Sequence, residues 1–143
     1  MFLALIIALV AGVAMAVQGS LNAALAKITG LLQATLVVHL TATIATALLL
    51  LWPLSPGSLG KITQTPWYLL LGGLIGVLIT YGVMASISRA GAALATTAII
   101  VGQVTMALII DHLGLFGLNK IPFTWWKALG LVLLAAGARL MLN

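Results

Sequence analysis

The chain has 143 residues, of which 64% are hydrophobic and 5% charged, and a mean hydropathy of +1.31; soluble domains carry about 25% charged residues, so an ordinary soluble domain is excluded. The net charge of +5 and pI near 10.3 come from single, scattered bases that flank apolar stretches, which reads as anchoring to lipid headgroups and argues against nucleic acid as a partner. Cysteine is absent, which excludes disulfides, thiolate catalysis and Cys-ligated metals.

Five apolar stretches follow one another, and together they predict a single five-helix transmembrane domain over residues 1–143. The first span is expected over 2–26 and ends at Lys27-Ile28-Thr29-Gly30. Ala14-Met15-Ala16 resembles a small-residue cleavage site. The segment before it has no basic n-region, however, and the uncharged run to Ala26 is long enough to cross a hydrocarbon core of about 30 Å, so it reads as a transmembrane helix. The second span is expected over 33–52, closed by Pro53 and Ser55-Pro56-Gly57-Ser58. The third is expected over 66–86, opened by Pro66 with Trp67 and Tyr68 at the interface. Ser88-Arg89-Ala90-Gly91 leads into the fourth, over 92–111, after which His112 to Pro122 is glycine-rich and irregular. The fifth is expected over 124–142, with Lys127 and Arg139 snorkelling outward from its ends. Gly12, Gly19, Gly72, Gly73, Gly76, Gly130 and Gly137 mark surfaces where helices are expected to approach closely.

Polar side chains inside these spans are expensive in lipid and must face a partner, water or a cavity. Gln18 and Asn22 sit one turn apart on the first span and present two amides on one face, either to a substrate or to a neighbouring helix. Thr35, His39 and Thr43 recur every four residues on the second. His39 is the ionisable group well inside an apolar stretch, either a site of proton coupling or a neutral imidazole bonded to a threonine. Tyr81 on the third span and Gly102-Gln103 at the middle of the fourth complete the candidate lining of a substrate cavity. Asp111, the one acidic residue, follows Arg89 by 22 residues, roughly 33 Å along a helix, so the two cannot pair within one chain. It is expected either to cap the following loop, meeting Lys120, or to pair with a base of a second copy. Neither a second carboxylate, a nucleophile–base pair nor a metal-ligand set accompanies it. The chain is therefore expected to be no enzyme and to need no cofactor.

The segments VAMAVQGSLNAAL, PWYLLLGGLIGVLITYGV and GQVTMALIIDHLGLFGL resemble the YdcZ-like family, a half-size, five-span branch of the drug/metabolite transporter superfamily. The resemblance covers essentially the whole chain and is most specific around GQ…IDHLGLFG. It implies an inner-membrane transporter in which five helices make half of a ten-helix, inverted-repeat carrier. Small multidrug-resistance relatives carry a Glu in the first span; this chain has Gln18 and Asn22 there and no acid, so their carboxylate-based exchange of cationic drugs does not carry over. The expected function is a secondary transporter of a small neutral, zwitterionic or amphipathic metabolite, working by alternating access. The alternatives are a non-transporting assembly or anchoring subunit, and one half of a heteromeric transporter.

Counted along five spans, Lys61, Lys120 and Lys127 lie on one side of the membrane, and Lys27, Arg89 and Arg139 on the other. Orientation is set by an excess of Lys and Arg in cytoplasmic loops, and here the excess is zero. Insertion both ways up, followed by pairing into an antiparallel homodimer, is the expected outcome. In such a dimer Asp111 of one copy shares a face with Lys27, Arg89 and Arg139 of the other. A reporter fused to the C-terminus should then be found on both sides of the membrane in comparable amounts; one uniform orientation contradicts dual insertion.

Overall fold

The computed structural model describes residues 1–51 and 57–141, and among them every regular element is helical. Trp52, the Pro53 to Pro56 part of the turn-rich segment, and the expected end of the last span at Leu142 lie outside the described residues. The long helices are α1 (Phe2–Thr29), α2 (Leu31–Leu50), α3 (Gly72–Ala90), α4 (Ala92–Leu113) and α5 (Trp125–Leu140), with short 3-10 turns at Leu59–Gln64, Trp67–Leu71 and Leu115–Gly117. Four helical stretches are long and apolar enough to cross a membrane: Phe2–Thr29, Leu31–Leu50, Trp67–Ala90 and Ala92–Leu113. The 16 residues of α5 span about 24 Å, short of a hydrocarbon core of about 30 Å.

Glycine, and not charge, ends α1, α3 and α4. Lys27 and Arg89 occupy the last turns of α1 and α3, where a cation favours the negative end of the helix dipole. Each helix runs past its base to a single glycine. Gly30 (φ 94°, ψ 154°) stands alone between α1 and α2, and Gly91 (φ 84°, ψ 162°) between α3 and α4. That backbone region is essentially restricted to glycine.

The chain divides into two compact units, Met1–Ser88 and Arg89–Asn143. In the first, α1 and α2 form a hairpin about Gly30, and the C-terminal half of α3 packs on it. Met84 is the one large side chain fully buried there, wedged against Ala26 and Ala34 with Leu25 and Leu31 beside them. Gly19 is buried because α3 lies on it: a Cβ at that position would meet Ile87 at 3.0 Å and Val83 at 3.1 Å. Small residues therefore permit the close approach, as expected for helices that gain nothing by burying apolar surface from lipid. In the second unit α4 and α5 pack together, and Thr97 Oγ1 near the start of α4 lies 3.3 Å from Met141 Sδ just beyond α5. The pair is thus antiparallel.

Other glycines behave differently. Among the described residues, nothing lies within 4 Å of a Cβ placed on Gly12, Gly72, Gly73, Gly102, Gly130 or Gly137. Replacing Gly30 with Ala should cost about 1–3 kcal/mol through the strained φ and lower the thermal midpoint of the detergent-solubilised protein. Gly12→Ala, in the open interior of α1, should leave that midpoint unchanged or raise it slightly.

Candidate functional site

The richest polar geometry lies on one face of α2. Thr35, His39, Thr43 and Thr46 fall along a single stripe, because four-residue and seven-residue steps return to the same side of a helix. The His39 ring folds back so that Nδ1 lies 2.8 Å from the carbonyl oxygen of Thr35. A carbonyl can only accept, so Nδ1 carries the proton and donates, and in the neutral ring Nε2 keeps a bare lone pair. The hydroxyls of the stripe are equally committed. Thr35 donates to Leu31 O, Thr43 to His39 O and Thr46 to Ala42 O, each at 2.8 Å. This back-bonding lets a hydroxyl sit in an apolar helix without needing a neighbour.

His39 stands between two clefts of about 390 Å³ each. One is lined by Leu32, Gln33, Thr35, Leu36 and Val77 with His39, the other by Ala42, Thr43, Thr46, Ala47 and Leu50 with His39. From α3, Gly76 comes closest to the ring: a Cβ there would lie 3.8 Å from Nε2. The absence of a side chain at Gly76 leaves the Nε2 edge of the imidazole free. Thr35 is buried and His39 half-buried.

The other sequence-predicted residues are spread over the chain. Gln18 is exposed and Asn22 half-buried on α1, while Tyr81 is 42% exposed on α3. None of the three lines the clefts that His39 lines. In the second unit Gly102 and Gln103 sit exposed at the midpoint of α4. Among the described residues, the side chains of Gln18, Asn22, Tyr81 and Gln103 make no hydrogen bond, whereas most intrahelical serines and threonines bond to their own helices, as at Ser20, Ser86, Thr97 and Thr105.

After α4 the chain is held by its backbone. Gly114 caps the helix in the left-handed conformation, the Asp111 carbonyl accepts from Ile121 N–H (2.8 Å), and His112 Nδ1 accepts from Phe123 N–H (3.2 Å). Lys127 Nζ reaches back to Pro122 O at 3.0 Å, and Thr124 caps α5 by accepting from Lys127 N–H. The loop is therefore tied by the main chain of Asp111 and not by its carboxylate. Arg89 is exposed at the end of α3.

Sequence reasoning singled out Thr35, His39 and Thr43 but passed over Gln33, Thr46 and Gly76 as parts of the same surroundings. The seven-residue step from His39 to Thr46 was a usable signal; the approach of Gly76 was not, since it depends on how α3 crosses α2. A family model described as "Putative inner membrane exporter, YdcZ" matches residues 3–140. Neither a curated protein nor a solved structure matches the chain.

Proposed function

The chain belongs to the YdcZ family of inner-membrane exporters, and from that premise we propose that it is half of a secondary transporter, completed by a second, inverted copy of itself. Alternating access would then proceed by rocking of one copy against the other around a site near mid-depth. Gln18, Asn22, His39, Tyr81, Gly102 and Gln103 would line that site. The substrate class that fits is a small neutral, zwitterionic or amphipathic metabolite, because the one acid, Asp111, lies in the last turn of α4 and none sits at mid-span to balance a fixed positive charge.

The observation that carries this reading is the set of mid-span amides and phenol without a hydrogen bond in their own chain. Leaving such a group unpaired in an apolar medium costs about 2–7 kcal/mol. Gln103 lies about 16 Å from either end of α4, at the depth where water is scarcest. A substrate, cavity water or a second copy must supply the partners. The open space beside Gly12, Gly72, Gly73, Gly130 and Gly137 is consistent with further helices packing there. A fifth crossing by α5 needs its short helix to be extended at the ends or the bilayer to thin around it. In the inverted pair, Asp111 would meet Arg89, Lys27 or Arg139 of the other copy.

The competing reading is a membrane subunit that anchors or assembles other proteins without moving a substrate. In proteoliposomes challenged with neutral and zwitterionic amphiphiles, Gln103→Leu and the Gln18→Leu/Asn22→Leu pair should lower flux about tenfold or more, or ~1.4 kcal/mol of lost stabilisation, with the thermal midpoint retained. Unchanged flux in both variants removes these residues from the site, and no flux in the unsubstituted protein contradicts the transporter reading.

A further inference from the structure

We propose that the α2 stripe centred on His39 recognises a hydrogen-bond donor, an ammonium or hydroxyl headgroup on an apolar body, and that a proton competes with this headgroup for the Nε2 lone pair. Recognition follows from where the protons already are. The Thr35 carbonyl fixes the His39 proton on Nδ1, so the edge of the ring turned toward Gly76 can only accept. Thr35, Thr43 and Thr46 have each spent their single hydroxyl proton on a carbonyl one turn back, so what they present outward is oxygen lone pairs. Apart from His39, Gln33 is the one residue in the two cleft walls whose side chain carries N–H donors. The stripe is a row of acceptors in apolar walls built from Leu32, Leu36, Val77 and Leu50.

A ligand with N–H or O–H groups satisfies such a row; a cation without donors does not. Neither wall contains a carboxylate, so charge alone has no partner there. Selection is therefore by hydrogen-bond donors, with the alkyl portion held by the leucines and valine. Both clefts fall within the roughly 300–1,000 Å³ typical of small-ligand sites.

Protonation inverts the site. A proton added to Nε2 converts the acceptor into a donor and gives the ring a positive charge, which repels an ammonium and removes the acceptor that Nε2 offers a hydroxyl. Ligand and proton thus exclude each other at one atom. No second titratable group intervenes: besides His39, the walls contributed by α2 and α3 hold only uncharged side chains, and Gly76 adds none. Where the halves alternate, this exclusion exchanges one proton for one ligand. The exchange rests on the transporter reading above; the binding does not.

The test uses the full-length protein with 15N-labelled histidine in lipid nanodiscs. Long-range 15N–1H correlation distinguishes a protonated ring nitrogen from a bare one. Neutral His39 should show the Nδ1–H tautomer and neutral His112 the Nε2–H tautomer, since His112 Nδ1 accepts from Phe123 N–H; the second histidine is an internal reference. Titration with n-hexylamine or 1-hexanol should saturably shift His39 Nε2 and leave His112 in place, while hexyltrimethylammonium should not. Hexylamine affinity should be lower in acidic than in neutral buffer. His39→Gln, read by calorimetry, retains an amide oxygen at that position and should bind hexylamine with no such pH dependence. An Nε2–H tautomer at His39, equal binding of the quaternary ion, or pH-independent binding by the unsubstituted protein overturns the proposal. Donor-selective binding in a protein that moves no substrate in proteoliposomes would instead overturn the transporter reading and leave the site standing.

Discussion

In hydrocarbon there is no water to complete a hydrogen bond, and that shortage governs which groups of this chain are settled and which are left over. The long helices satisfy their own backbones. Most of their serines and threonines go further and return hydroxyl protons to carbonyls one turn back, from Ser20 on α1 to Thr105 on α4. No buried side-chain nitrogen or oxygen among the described residues lacks a partner. The larger mid-span polar side chains among those that remain open, Gln18, Asn22, Tyr81 and Gln103, lie on exposed or half-buried faces. An apolar chain that economises on polarity everywhere else keeps these amides at its middle, which is where a carrier needs them.

The same shortage explains the packing. Lipid tails are as apolar as leucine, so helices associate through close contact and not by withdrawing surface from water. Gly19 beneath Ile87 and Val83, and Met84 between Ala26 and Ala34, are the visible results. Faces that carry glycine without a neighbour then stand out. Gly72 and Gly73 on α3 and Gly130 and Gly137 on α5 keep the slim profile of a contact surface while a Cβ there would meet nothing among the described residues.

Much of the architecture was legible in the residues. Hydropathy located the helices, and Gly30 and Gly91 located the breaks between them. The ends moved by a few residues because Lys27 and Arg89 suit a helix C-terminus and therefore do not stop the helix. The last apolar run is expected as a full span over 124–142; Thr124 does cap it, and the helix described, Trp125–Leu140, is shorter than a full span. That shortfall bears on the charge count: if α5 does not cross, Arg139 joins Lys61, Lys120 and Lys127, and the balance of three against three becomes four against two. At the site, the Thr35–His39–Thr43 spacing was readable, whereas the tautomer of His39 was not. It is set by the rotamer that brings Nδ1 to the Thr35 carbonyl, a matter of local geometry that spacing does not encode.

The account depends on a second copy lying upside down against the first. Because the chain contains no cysteine, a single Cys at exposed Ile28, at the end of α1, can carry one spin label per copy, and the distance between the two labels in lipid reports how the copies are arranged. An antiparallel pair puts the labels on opposite faces of the membrane and predicts a separation of at least about 30 Å. A label–label distance well below that, or a monomer with no dipolar coupling at all, contradicts the inverted dimer.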